Sequence, residues 1–134
     1  VSRERFASAI DAGFFLEWEE FGGYLYGTPR TPPEDGRVLL LEIDAKGART
    51  VRGLEPSALI IGLEPPSLDT LRDRMLKRGD DPDHIARRLA IAADEMGIAR
   101  SVADNVVVNN DLDVSVAEVV SLIEEWLARR LPTE

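Results

Sequence analysis

The chain has no cysteine, which excludes disulfides and thiolate metal sites alike. Histidine occurs once, at His84, and leaves little for a histidine-based metal site or a catalytic triad. Lysine is nearly absent, with Lys46 and Lys77 alone representing it. No apolar run approaches the roughly 20 residues that span a bilayer, and no basic-then-apolar leader opens the chain. The expectation is therefore a cytoplasmic protein without a membrane partner. A formal charge of −9 argues against a general nucleic-acid binder, because phosphate contacts need a net cationic face. One local exception stands out: Arg72, Arg74, Lys77, Arg78, Arg87 and Arg88 fall within a single short stretch.

What is present describes a folded domain. The 134 residues are 44% hydrophobic and 31% charged, enough for one real core and too apolar for disorder. Ser2 can cap a short helix bearing Phe6, Ala9 and Ile10, with Gly13 as its stop. Phe14 to Trp18 and Phe21 to Tyr26 read as two strands, with Gly22-Gly23 as a bend or a bulge inside the second. TPRTPPEDG holds three prolines and reads as a loop with at most one helical turn.

Val38 to Ile43, Ala58 to Leu63 and Asn105 to Val108 are near-continuous apolar runs, as in parallel strands covered on both faces. Ser67 can cap a helix over Leu68 to Arg78, with Leu68, Leu71 and Met75 on its apolar side and Gly79 as its stop. Asp81-Pro82 opens another towards Met96. Asp113 or Ser115 can open the last, whose buried stripe is Val116, Val119, Val120, Ile123 and Leu127. Trp18 is expected to pack in the aromatic β element and Trp126 against the sheet. The fold class is α/β: a parallel sheet flanked by helices behind a small mixed β element. As domains, 1–134 forms one, with the β element at 1–37 and a core at 38–134.

LLLEIDAKGART tests whether the chain cradles phosphate. A phosphate loop needs several glycines, whose N–H groups converge on phosphate oxygens, followed by Lys and Ser or Thr. DAKGAR offers one glycine, after the lysine, and alanine where the hydroxyl belongs. Lys46 therefore reads as a solvated side chain at a helix start. Asp44 is the more informative residue. It is either an acid at the ligand-binding edge of a strand or the N-cap of the following helix, and position alone does not separate the two.

Four segments together resemble the guanylate kinase family, nearly end to end and in that family's order. FFLEWEEFGGYLYGTPR is similar to its GMP-binding segment and LLLEIDAKGAR to its central strand and turn. LEPPSLDTLRDRMLKRGDDPDHIARRL is similar to its strand, helix and arginine-bearing lid, at about 78–90 here, and NVVVNNDLD to its last strand. The resemblance implies a P-loop kinase-like fold and phosphoryl transfer from ATP to GMP with Mg2+, for which no protein ligand is assignable here. It implies that Glu17 and Asp44 accept from the N1–H and amine of guanine, that Thr28 faces the base's carbonyl, and that Tyr26 donates to the GMP phosphate. Adenine lacks that donor pair and would leave both carboxylates unmatched.

Arg78 and Arg88 match the lid arginines, with Arg74 assisting, and Asn109 matches a position near the adenine of ATP. Planar, permanently charged guanidinium groups suit a reaction whose charge spreads over the transferring oxygens. The plainer alternative for the arginines is a solvated face of Asp83–Arg87 and His84–Arg88 pairs, with Asp80 and Asp81 nearby.

The match breaks at the front. The family's first strand, its phosphate loop with Lys and Ser/Thr, the next helix and the arginine segment that grips the GMP phosphate have no counterpart in these residues. TPRTPPEDGR is also about one helical turn shorter than the family's segment. Losing one electrostatic contact to the transferring group typically costs about 3 to 4 kcal/mol of transition-state stabilisation. The expectation is an incomplete kinase, poorly active alone, with a sheet edge open to self-association. A non-catalytic guanylate kinase-like binding module is the alternative.

Overall fold

Ser2 opens the chain's first helix as read: its hydroxyl accepts from the N–H of Arg5 at 3.3 Å, and α1 spans Arg3–Asp11. The structure, a computed structural model, describes residues 1–31 and 37–130. It divides into two units, Val1–Pro56 and Ser57–Glu134.

In the first unit, β1 (Phe15–Phe21) pairs antiparallel with β2 (Tyr24–Pro29). Gly22 and Gly23 form the turn between them, with φ of 59° and 83°. Two consecutive positive φ values are what a two-residue hairpin loop with the strands' own twist demands, and glycine supplies them without steric cost. This corrects the reading of these glycines as a bend or bulge within the second strand, and it moves Phe21 into the first. The ladder's irregularity lies instead between Phe15 and Glu17. β2 runs on through Thr28 and Pro29, which the sequence assigns to the loop, because Thr28 pairs with Glu17 and Pro29 with Phe15. Arg30 and Thr31 lie in no helix or strand, as the loop reading expects, and 32–36 fall outside the described residues. The expected small mixed β element is thus a two-stranded antiparallel hairpin.

Phe6 seals this unit. It is buried and stacks on Phe15 at 4.5 Å between ring centroids. Gly27 makes room for the pair, since a Cβ there would lie 2.7 Å from one Phe15 ring carbon and 3.0 Å from the tip of Phe6. Trp18, expected to pack, is 45% exposed across the ladder from Gly27, whose own space is taken by Phe6 and Phe15. After the hairpin, Val38 to Ile43 forms no strand, contrary to expectation. A strand exists only through a ladder partner, and among the described residues this run has none; Leu40 is 81% exposed. Asp44 then caps α2 (Ala45–Leu54), whose Val51 is buried.

The second unit holds a parallel pair, β3 (Ile61–Glu64) beside β4 (Asn105–Val108), in register Ile61↔Asn105 through Glu64↔Val108. The central residue Val107 is fully buried. Ser67 caps α3 (Leu68–Arg78) and Gly79 ends it at φ 86°, both as read. Asp81 caps α4 (Pro82–Val102), which continues six residues past Met96 because nothing before Ala103 breaks it. Met75 of α3 and Ile85 of α4 are buried. α5 spans Leu112–Arg130, and its start is set by Asp111, not by Asp113 or Ser115: the Asp111 carboxylate accepts from the N–H of Val114 at 3.1 Å. Its inward line passes through Ser115, Val119, Leu122, Ile123, Trp126 and Leu127, whereas Val116 and Val120 of the expected stripe are exposed. The buried Ser115 displaces the face by about one position, which an apolar-only pattern cannot register. Trp126 is half-buried, with the Arg130 guanidinium 4.4 Å from its ring centroid. Among the described residues no helix is long and apolar enough to cross a membrane.

Candidate functional site

Cross-strand pairing in the first unit sets Glu17 opposite Thr28 and Glu19 opposite Tyr26, so all four side chains share one face of the hairpin. Glu17 is buried, and the hydroxyl of Thr28 donates to its Oε1 in a short hydrogen bond. A buried carboxylate needs such a donor, or its desolvation would push the chain away from this arrangement. Tyr26 is 58% exposed, its ring open to solvent on the same face.

Asp44 reaches the same place from the other direction. Its Oδ1 accepts from the N–H of Gly47 at 2.7 Å, so the helix-cap reading of Asp44 is correct. The α2 N-terminus also favours negative charge there. Capping does not remove Asp44 from the site. A Cβ on Gly47 would meet Glu17 Oε2 at 2.8 Å and Asp44 Oδ1 at 3.2 Å, so both carboxylates converge on the bare Cα of that glycine. The structure therefore brings together Glu17, Thr28 and Asp44, with Tyr26 along the same hairpin face. Each carboxylate has two oxygens and about four lone-pair sites, so one internal donor apiece leaves acceptor capacity for a ligand. A cavity of about 580 Å³ lies against β1; it takes in Glu17 and Glu19 but not Thr28, Tyr26 or Asp44.

Two contributors to this geometry escaped the sequence reading. From sequence Gly47 reads only as a phosphate-loop glycine, and its actual use is to have no side chain beneath two carboxylates. Lys46, correctly read as solvated at a helix start, also pairs with Glu19 at 3.2 Å and so links α2 to β1. A lone lysine and a strand glutamate 27 positions apart leave no pattern by which sequence alone could join them.

In the second unit the strand ends carry polar groups. The N–H of Asn109 donates to the carbonyl of Glu64 at 2.7 Å, and the Arg74 guanidinium donates to the carbonyl of Asn109 at 3.0 Å. The side chain of Glu64 is buried and is gripped by Arg100, whose Nε donates at 2.8 and 3.1 Å and Nη2 at 2.7 Å. This hydrogen bonding raises the Arg100 pKa above its ordinary value. Arg78 pairs with Asp80: Nε donates to Oδ1 at 3.0 Å and Nη2 to Oδ2 in a shorter contact. That contact holds the Asp80 carboxyl below, and the Arg78 guanidinium above, its ordinary pKa. Arg88 is half-buried on α4, on the side that carries Ile85. The structure thus joins Arg74 to Asn109, while Arg78 is engaged with an acid that the sequence reading had named only as a neighbour.

Among the described residues, no three His, Cys, Asp or Glu side chains gather as a metal site.

Comparison with known proteins points to one family. The guanylate kinase family model matches residues 1–126. A guanylate kinase of Prochlorococcus marinus is 47% identical over 128 residues, covering 92% of this chain and 67% of its own length. One from Symbiobacterium thermophilum is 42% identical over 134 residues, covering 96% of this chain and 63% of its own. The crystal structure of guanylate kinase from Anaplasma phagocytophilum superposes with a TM-score of 0.75 at 28% identity, over 100% of this chain and 74% of that one. The α/β fold with its parallel strands is accordingly P-loop kinase-like. With a matching model over nearly its whole length, and such relatives beside it, the chain belongs to the guanylate kinase family.

Proposed function

We propose that this chain reads GMP with Glu17 and Asp44 and serves transfer of the terminal phosphoryl group of ATP to GMP, giving ADP and GDP in cytoplasmic purine nucleotide metabolism. Membership of a kinase family supports the reaction class. One observation carries the substrate: two carboxylates held against a single glycine, one beneath a threonine hydroxyl and one at a helix N-terminus. Such a pair suits the two adjacent donors on guanine's edge, a donor pair that adenine, with its single exocyclic amine, lacks.

On this reading Thr28 turns its hydroxyl between Glu17 and the base's carbonyl, and Tyr26, solvent-facing, donates to the GMP phosphate. Arg78 and Arg88, with Arg74, meet the negative charge on the transferring oxygens, and Asn109 lies by the adenine of ATP. The family's magnesium would travel with the nucleotide phosphates. None of the 134 residues forms a GxxxxGK[ST] loop, so by themselves they should turn over far below the rate of an enzyme.

The test is calorimetric titration of the chain with GMP and, separately, with AMP. Binding of GMP with AMP at least tenfold weaker is expected, since an unmatched buried acceptor costs about 1–3 kcal/mol. Equal affinities, or no heat at millimolar GMP, would sink the guanine reading and favour a non-catalytic binding module. A steady-state assay with ATP and GMP in excess checks the rate, and multiple turnover at enzymatic speed would refute the expected weakness.

A further inference from the structure

Arg78 is already occupied. Its guanidinium offers Nε–H and one Nη2–H side by side, the edge that best matches a two-oxygen acceptor, and both point at Asp80. We propose that Asp80 is a built-in competitor of phosphoryl oxygens at Arg78, holding that edge until a polyphosphate displaces it. The proposal rests on the reading of Arg78 as a phosphoryl-binding arginine, and it adds a residue that reading leaves unused.

Three observations support it. First, Asp80 is placed by backbone, not by its own flexible side chain. Gly79 in the left-handed region turns the chain, its N–H donates to Leu76 O at 3.0 Å, and the Asp80 N–H donates back to Met75 O at 3.1 Å. This double closure of a helix end fixes the residue that follows the glycine. Second, the partners differ in freedom: the Asp80 side chain is 17% exposed and Arg78 is 69% exposed. A seated acid and a solvated cation make a contact in which only the arginine has to move when a ligand arrives. Third, the charge of Asp80 lies between two helix ends, favoured by the start of α4 and opposed by the end of α3. The Arg78 guanidinium offsets that opposition. One residue later, Asp81 caps α4, so the turn carries more negative charge than capping alone requires.

The consequence has a definite sign. A phosphoryl oxygen must either displace Asp80 or use the N–H groups left over. The contact therefore lowers affinity for ATP while keeping the arginine in one orientation between encounters. Asp80 is a positioning residue, since it acts through Arg78 and touches no substrate.

The experiment compares ATP affinity of the chain with that of Asp80→Asn, Arg78→Ala and the double variant. Asparagine keeps the Asp80 backbone bond to Met75, so the turn should survive. Asp80→Asn is expected to tighten ATP binding by about two- to fivefold, the scale of an exposed ion pair. In the Arg78→Ala background the same change should give less than half that gain. An equal gain in both backgrounds would show a long-range charge effect, and no gain or a loss would show that Asp80 does not compete; either result overturns the proposal. If Arg78→Ala alone leaves ATP affinity unchanged, the phosphoryl-binding reading of Arg78 fails instead. A ligand-free readout stands apart from both. The Arg78 Nε–H resonance should exchange slowly with water in the parent chain and rapidly in Asp80→Asn, and rapid exchange in the parent would mean that the pair does not form.

Discussion

The two units hold their charged groups in opposite ways. In the first, Glu17 and Asp44 are set by a strand ladder and a helix cap, and they face a glycine whose missing side chain keeps their space open. In the second, Arg74, Arg78 and Arg100 extend from helix surfaces, and each is held by an oxygen acceptor. Placement by backbone suits a group that must discriminate, because its geometry survives without the ligand. Placement through a contact made by a solvated guanidinium, as at Arg78, suits a group that must let go and regrip. On the proposed reading, the acids select the base and Arg78 trades partners.

The sharpest way to break this contrast is Gly47→Ala. The new Cβ would lie 2.8 Å from Glu17 Oε2, closer than such contacts are found, so something must shift. What yields is the tip of a side chain, not backbone, while alanine gains roughly 1 kcal/mol of helix propensity over glycine. Stability should therefore change by less than about 1 kcal/mol, by denaturant titration. GMP affinity should fall roughly 10- to 100-fold, because overpacking by a methyl typically costs about 1–3 kcal/mol and here it is spent on moving a recognition group. A variant that loses stability in full but keeps its GMP affinity would show that the carboxylates are not placed by this glycine.

Much of the second unit was legible because its signals are local. Ser67, Gly79, Asp81 and Pro82 each act within a few residues of where they stand, and the α3 boundaries and the start of α4 followed from them. Asn105–Val108 likewise matched its apolar run. The first unit was harder, because its decisive facts are non-local. Whether Val38 to Ile43 is a strand depends on a ladder partner, and composition is silent about partners. Asp44 as cap or site acid was undecidable by position, and it proves to be a cap whose oxygen also lies beside Glu17's chosen glycine. The turn at Gly22-Gly23 was legible in principle: two adjacent glycines between alternating strands are a hairpin signal, and a bulge was the weaker reading. For the site residues, the resemblance supplied the roles, and the structure supplied the convergence of Glu17, Thr28 and Asp44.

A milder perturbation asks whether the hairpin and α2 need their surface tie. Lys46 pairs with Glu19 at 3.2 Å with both side chains partly solvated, at 51% and 29% exposure. Solvent and salt screen such a pair, so Lys46→Ala should cost about 0.2–1 kcal/mol of stability. If the tie also steadies Glu17, two residues along the same strand, GMP affinity should drop by no more than about fivefold, with Lys46→Arg restoring it. A larger loss that arginine fails to rescue would mean that Lys46 contacts the nucleotide itself, a role the contrast between the two units does not give it.

The smallest effect lies in pH, and it tests the exchangeable side alone. Asp80 titrates below the ordinary carboxylate range, first because Arg78 donates to it, with further help from the Arg78 and His84 charges. A carboxyl whose folded value is depressed adds stability above its unfolded pKa and loses it as pH falls through the folded one. The Arg78–Asp80 contact should therefore stay intact from neutrality down through the range where ordinary carboxylates protonate. It should open only below that range, as judged by the onset of fast exchange at the Arg78 Nε–H. Arg78, raised above its ordinary value, contributes below its unfolded pKa and loses that contribution only as pH rises through the raised one, far on the alkaline side. Opening at the pH of ordinary carboxylates would mean that the arginine holds its acid too loosely to compete with anything, and the proposed exchange of partners at Arg78 would lose its first partner.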